Sequence, residues 1–288
     1  MKNIVTLIAN PEKERLTQAL ANSIALKLDT QAHWIKEGVA CELVVSGEWR
    51  VAEIENILTA HHSPLTTIDI IIQPAAHARK KLLICDMDST MITVECIDEL
   101  ADFVGKKAEV AAITERAMNG ELDFASALTE RVALLKGLPE ATLQQCYDER
   151  VKMMPGAKAL VQAMRNNGAH CVLVSGGFTF FTARVAQELG FHEHYANVLE
   201  IENSKLTGRV VLPILGKEAK LAQLEAQCKK LGIGKDDVLA IGDGANDLPM
   251  LLAAGLGVAY HAKPVVRAQA KAQINYCDLS ALIYALGL

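Results

Sequence analysis

The stretch KLLICDMDST, residues 81–90, runs four apolar side chains into two aspartates, Asp86 and Asp88, separated by one residue. Acids needed only for solubility could be scattered over a surface. Two carboxylates placed where a buried strand gives way to a loop instead suit a bound cation. Two further groups stand in comparable places. The run CVLV, 171–174, is followed by SGGF, 175–178, which holds Ser175 and Gly176; VLAI, 238–241, is followed by GDGAND, 242–247, which holds Asp243, Asn246 and Asp247. Lys220 lies on a helical stretch between these two. Each signal is weak alone, because Asp-x-Asp is common, Ser-Gly-Gly is an ordinary turn and a helical lysine usually faces water. Their joint order is specific: three strand ends present a carboxylate, a hydroxyl and a carboxylate, and a helix between the last two presents an ammonium.

The elements that must position these groups can be read from periodicity. From residue 81 onward strands alternate with helices, which predicts a parallel sheet covered on both faces. Its strands are the runs at 82–85, 171–174, 238–241 and 256–260, each continuously apolar as burial on both faces requires. In such sheets ligands sit beyond the carboxyl ends of the strands, where the residues above lie. A helical region at about 95–150 has no convincing strand and reads as an inserted cap. Residues 1–74 give a βαββαβ pattern with strands near 3–9, 32–36, 40–46 and 67–73 and helices over 12–28 and 51–60. This order resembles a ferredoxin-like ACT module. Asn10-Pro11-Glu12 stands where such modules carry a glycine turn for an amino-acid ligand, so a structural or dimerising role, with a homodimer as partner, is weighed first. Residues 75–81 read as a linker, and 82–288 as a second unit that carries the strand-end groups.

Composition narrows the classes. With 288 residues, 51% of them hydrophobic, the chain can bury a sizeable core. A net charge of -5 provides no basic footprint for a phosphate backbone, so no nucleic-acid partner is expected. No apolar run approaches the roughly 18 residues of a membrane span, and the N-terminus shows no cleavable leader, so no membrane partner and a cytoplasmic location are expected. Seven cysteines at 41, 85, 96, 146, 171, 228 and 277 include no Cys-x-x-Cys pair, which fits buried thiols better than a disulfide framework or zinc site. His192 and His194, an i, i+2 pair without accompanying acids, read as part of a solvated loop.

The motif set resembles the haloacid dehalogenase superfamily of phosphotransferases, and within it the branch that hydrolyses O-phosphoserine. The likeness extends through DMDSTMITVECIDELA, FASALTERVALLKGL, VSGGFTFF, KLTGRV and GDGANDLPML. It implies a Rossmann-like parallel sheet with an inserted helical cap, behind a small α+β domain. It also implies Mg2+ as cofactor, held by Asp86, Asp243 and the carbonyl of Asp88, with Asp247 orienting coordinated water. Asp86 becomes the nucleophile that forms a phosphoaspartyl intermediate, and Asp88 the group that protonates the departing serine and then activates water. Ser175 and the Gly176 and Gly177 main chain, at a strand-to-helix turn, would hold phosphate oxygens. Lys220 would neutralise charge there, and Asn246 would add an amide contact. Over the site, Glu95 and Arg131 would take the ammonium and carboxylate of the substrate, with Met118 and Phe124 packing against it.

Without the resemblance, Glu95 and Arg131 would be ordinary solvated charges and Met118 and Phe124 packing residues. Other readings are a phosphatase for a different small ester, a transferase delivering the phosphoryl group to an alcohol such as homoserine, and a phospho-receiver without enzymatic activity. Lys220 and Asp88 speak against the receiver. A dinucleotide site fits worse, since GDGAND lacks the G-x-G-x-x-G spacing.

Overall fold

Unbroken burial over Val5–Ala9 in the first strand marks a sheet covered on both faces. The computed structural model describes residues 2–13, 15–61, 67–118 and 121–288, the side chains of residues 59–61 and 118 excepted. Strands β1 (Lys2–Ala9), β2 (Ala32–Lys36), β3 (Ala40–Ser46) and β4 (Ile68–Pro74) form an antiparallel sheet in the order β2-β3-β1-β4. Helices α1 (Gln18–Lys27) and α2 (Val51–His61) cover one face, where Val5, Leu7, Cys41 and Leu43 meet Leu20, Ile24, Ile54 and Leu58. Helix α1 begins six residues later than periodicity predicts, because Thr17 caps it by accepting the Leu20 N–H. Upstream, the Asn10 side chain accepts the Glu12 N–H and holds a turn instead.

The other face is fastened to the rest of the chain. Ile8, Ala40 and Ile71 join the main core. Asp69, 2% exposed, accepts the main-chain N–H groups of Asn275 at 2.7 Å, Tyr276 at 3.2 Å and Cys277 at 2.9 Å. Gln73 donates to the Ala285 carbonyl, and Asn10 to that of Tyr276. Even the connector is packed, since the Lys80 ammonium donates to the Asp236 carbonyl.

The second sheet contains β5 (Leu82–Cys85), β6 (His170–Phe178), β7 (Glu193–Glu202), β8 (Lys205–Val211), β9 (Val238–Gly242), β10 (Leu256–Tyr260) and β11 (Ala272–Ile274). Their order is β11-β10-β9-β5-β6-β7-β8, parallel throughout except for the β7–β8 hairpin. Successive residues alternate between two cores: Leu83, Cys85, Cys171 and Leu173 face one, while Leu82, Ile84, Val172 and Val174 face the other. Each such side chain contributes about 1.5–3 kcal/mol by leaving water. Between β5 and β6 come α3 (Cys96–Phe103), α4 (Lys107–Met118), α5 (Phe124–Ala133) and α6 (Ala141–Arg150), then α7 (Ala157–Asn166). Helices α8 (Thr179–Leu189), α9 (Lys217–Leu231), α10 (Leu248–Ala253), α11 (Pro264–Arg267) and α12 (Ala281–Ala285) complete the chain.

Three strands went unmarked by apolar runs: β7, β8 and β11. The reading of His192 and His194 as a solvated loop is corrected here. His194 lies within β7, with its Nδ1 3.0 Å from the Thr182 hydroxyl. His192 accepts the Cys171 N–H and stacks on His170. The hairpin also grips the helical insertion. Gly137 donates to the Leu206 carbonyl, Leu206 to that of Leu138, and Glu140 to that of Ser204. All seven cysteines are free and buried.

Asp69→Ala would strip acceptors from three main-chain donors and is expected to lower stability by about 3 kcal/mol. Calorimetric Tm measures this, and an unchanged Tm would show that the loop at 275–277 finds other acceptors.

Candidate active site

β5 is the first strand of its sheet and lies between β6 and β9, so the chain departs from it in both directions and leaves a crevice at its carboxyl end. Asp86 extends the ladder by one bond, from its N–H to the Ile241 carbonyl, and is 6% exposed. One carboxylate oxygen, Oδ1, accepts the Met87 N–H at 2.7 Å; the other, Oδ2, lies 2.7 Å from the Lys220 ammonium. Lys220 rises from α9, is 1% exposed, and also meets Asp247 Oδ1 at 2.6 Å. The second Asp247 oxygen accepts the Gly244 N–H at 3.0 Å. Any Cβ on Gly242 would collide with that carboxylate, so β9 must end in glycine.

Asp86, Asp243 and Asp247 each bring a carboxylate oxygen to within 4.8 Å of the others. Three acidic side chains face one lysine. Burial and the Asp247 charge push the Asp86 carboxyl well above its usual range, with Lys220 pulling the other way. Burial and Asp247 likewise raise Asp243 to about 6. Burial opposes the Lys220 charge, but Asp247 and Asp86 outweigh it and hold the ammonium above its ordinary value. An all-oxygen set with excess negative charge fits a hard divalent cation. The residues present therefore suit the metal that the sequence implied.

Asp88 sits across the crevice, its carboxyl raised to about 7 by burial and by the Glu95 charge. Its Oδ1 accepts the Cys96 N–H at 3.0 Å, and Ser175 Oγ lies 3.4 Å from its Oδ2. A Cβ on Gly177 would stand 2.7 Å from that Oδ2, so the close approach depends on glycine. The SGGF segment continues β6 up to α8 rather than turning before it, with Ser175 Oγ accepting the Gly177 N–H.

These groups open into a cleft of about 680 Å³. Asp86, Asp88, Ser175, Gly176, Asp243 and Asn246 line its floor, and Glu95, Phe124 and Arg131 its roof. Lys220 and Asp247 lie buried beneath that floor. The Met118 side chain lies outside the described residues. Burial lowers Arg131 from its ordinary value, with Asp98 and Glu95 opposing the shift. Its Nε donates to the Ala127 carbonyl and its Nη1 approaches the Thr114 hydroxyl at 3.5 Å.

Sequence reasoning overlooked two supports. Thr90, fully buried, donates to Asp243 Oδ1 at 2.9 Å and joins the loop after β5 to that after β9. Asn197 donates to the Gly176 and Leu215 carbonyls and accepts the Leu215 N–H. Thr90 was within reach of the motif reading, two residues past Asp88. Asn197 carried no signal, because its partners are main-chain atoms distant in sequence.

A family model described as haloacid dehalogenase-like hydrolase matches residues 83–252. The phosphoserine phosphatase of Polaromonas sp. (strain JS666 / ATCC BAA-500) is 51% identical over 208 residues, covering 70% of this chain and 88% of its own. Among solved structures, a haloacid dehalogenase family hydrolase from Salmonella enterica serovar Typhi superposes with a TM-score of 0.85 at 32% identity, covering 99% of this chain and 98% of its own. A phospho-aspartyl intermediate analogue of a phosphoserine phosphatase gives a TM-score of 0.67 at 38% identity, covering 71% and 98%.

Lys220→Met would leave buried carboxylates unopposed and is expected to cost about 3–5 kcal/mol. Urea unfolding in metal-free buffer measures this, and a loss below about 1 kcal/mol would mean water already screens the cluster.

Proposed function

The chain belongs to the haloacid dehalogenase-like hydrolases, and on that premise we propose that it hydrolyses O-phosphoserine to serine and inorganic phosphate. The observation that carries this reading is the unlike pair after β5. Asp86 is pinned against the Lys220 ammonium at 2.7 Å, whereas Asp88, two residues on, meets the Cys96 N–H and the Ser175 hydroxyl and, among the described residues, no cation within ion-pair distance. One carboxyl is thereby suited to attack and the other to proton transfer.

In this mechanism an Asp86 oxygen bonds to phosphorus as the ester P–O bond breaks, and the serine oxygen takes the Asp88 proton. Asp88, now ionised, accepts a proton from water as that water attacks the phosphoaspartyl phosphorus. The bond to Asp86 breaks and phosphate leaves. Ser175, the Gly176 main chain, Asn246 and Lys220 hold the phosphoryl oxygens. Mg2+ held by Asp86, Asp243 and the Asp88 carbonyl, with Asp247 orienting its water, would supply the positive charge that lets an anion meet an anion.

From the roof, Arg131 offers a planar fork to the substrate carboxylate and Glu95 an acceptor to its ammonium. Phe124 supplies apolar wall. No helix among the described residues is long and apolar enough to cross a membrane, and the seven free thiols suit the reducing cytoplasm. The N-terminal sheet, fastened by Asp69, has a structural role in this reading.

Phosphate release from a panel of small phosphomonoesters tests the proposal. Phosphoserine should be the preferred ester, chelation of magnesium should stop release, and Asp86→Asn should abolish it while the circular dichroism spectrum stays unchanged. Normal turnover by that variant would remove the nucleophile assignment. Arg131→Ala should raise KM for phosphoserine roughly tenfold to a hundredfold and leave that for an aryl phosphate nearly unchanged; equal effects on both would deny it a role in selectivity.

A further inference from the structure

Ser89, the residue after Asp88, lines the cleft with a φ of +54°, a left-handed backbone that a non-glycine residue adopts at a cost. Such a conformation persists when surrounding contacts demand it. Here the Ser89 N–H reaches the Val94 carbonyl at 3.3 Å, closing the loop that leads into α3. In that closed loop the hydroxyl donates to Glu95 Oε1 at 2.6 Å, a charge-assisted bond.

Glu95 stands at the N-cap of α3, where a carboxylate would ordinarily fold back onto the first main-chain N–H groups, yet it makes no capping bond. Asp88 takes that duty by accepting the Cys96 N–H at 3.0 Å. The glutamate is thus released from its own helix and held from across the loop. Among the described residues Oε1 has a donor and Oε2 has none, so one oxygen is anchored while the other remains for a ligand.

We propose that Ser89 is a positioning residue that fixes the Glu95 carboxylate as acceptor for the substrate's ammonium. The proposal rests on the phosphoserine reading above. Without the hydroxyl, a side chain with three rotatable bonds would have to be ordered by the substrate itself, and affinity for the ammonium would fall. Catalysis on bound ester would continue, because the Ser89 hydroxyl is committed to Glu95 and, among the described residues, makes no hydrogen bond to Asp86, Asp88 or Ser175.

The test compares phosphoserine with the phosphate ester of 3-hydroxypropanoate, which lacks the ammonium, in wild type, Ser89→Ala and Ser89→Gly. Glycine relieves the backbone and alanine does not, so a shared effect reports the lost hydroxyl. Both variants should raise KM for phosphoserine on the order of tenfold, change kcat by no more than about twofold, and leave KM for the desamino ester unaltered. Parallel rises for both esters, a rise with alanine alone, or no rise at all would overturn the proposal while the phosphoserine reading stood. A wild-type chain inactive on phosphoserine would overturn that reading and this proposal together.

Discussion

Three carboxylates and one ammonium crowded at the end of a buried strand set the terms for the rest of the molecule. Like charges that close repel unless something positive lies between them, and Lys220 meets only two of the three. The arrangement survives because its groups cannot drift apart. Asp86 is fixed by the β5 ladder and the Met87 N–H, Asp247 by Lys220 and the Gly244 N–H, and Asp243 by Thr90. The fold holds acidic groups together that water would otherwise separate, and a bound cation would relieve that repulsion.

The same economy of space governs the neighbouring strand ends. Gly242 leaves room for the Asp247 carboxylate and Gly177 for that of Asp88. Phe124, from the insertion, descends to the β6 end, so roof and floor meet across one cleft. Asp88 joins them further: its carboxyl faces Ser175 below while capping α3 above. Roof and floor thus share one carboxyl.

The central sheet was legible because burial on both faces leaves little choice of residue, so LLIC, CVLV, VLAI and LGVAY stand out as unbroken apolar runs. β7 and β8 were not, since a half-exposed hairpin mixes Glu193, His194, Thr207 and Arg209 with apolar positions and resembles a loop. The start of α1 was misjudged because apolar spacing continues through Leu16 while Thr17 decides where the helix begins. At the site, ionisable residues announced themselves by position. Thr90, Ser89 and Asn197 were harder to see, since a hydroxyl or amide that serves another side chain or the main chain has no chemistry of its own to advertise.

The hairpin's hold on residues 137–140 makes the insertion a lever with a fixed heel. A second attachment lies at its neck, where Thr93 donates to the Lys152 carbonyl and Ile92 bridges Met153. Rotation about those two points would swing α4 through the widest arc. Ala117 and Leu122 of the insertion line the cleft together with Lys263 and Val265 from the sheet side, so such a rotation would change the width of the cleft between them.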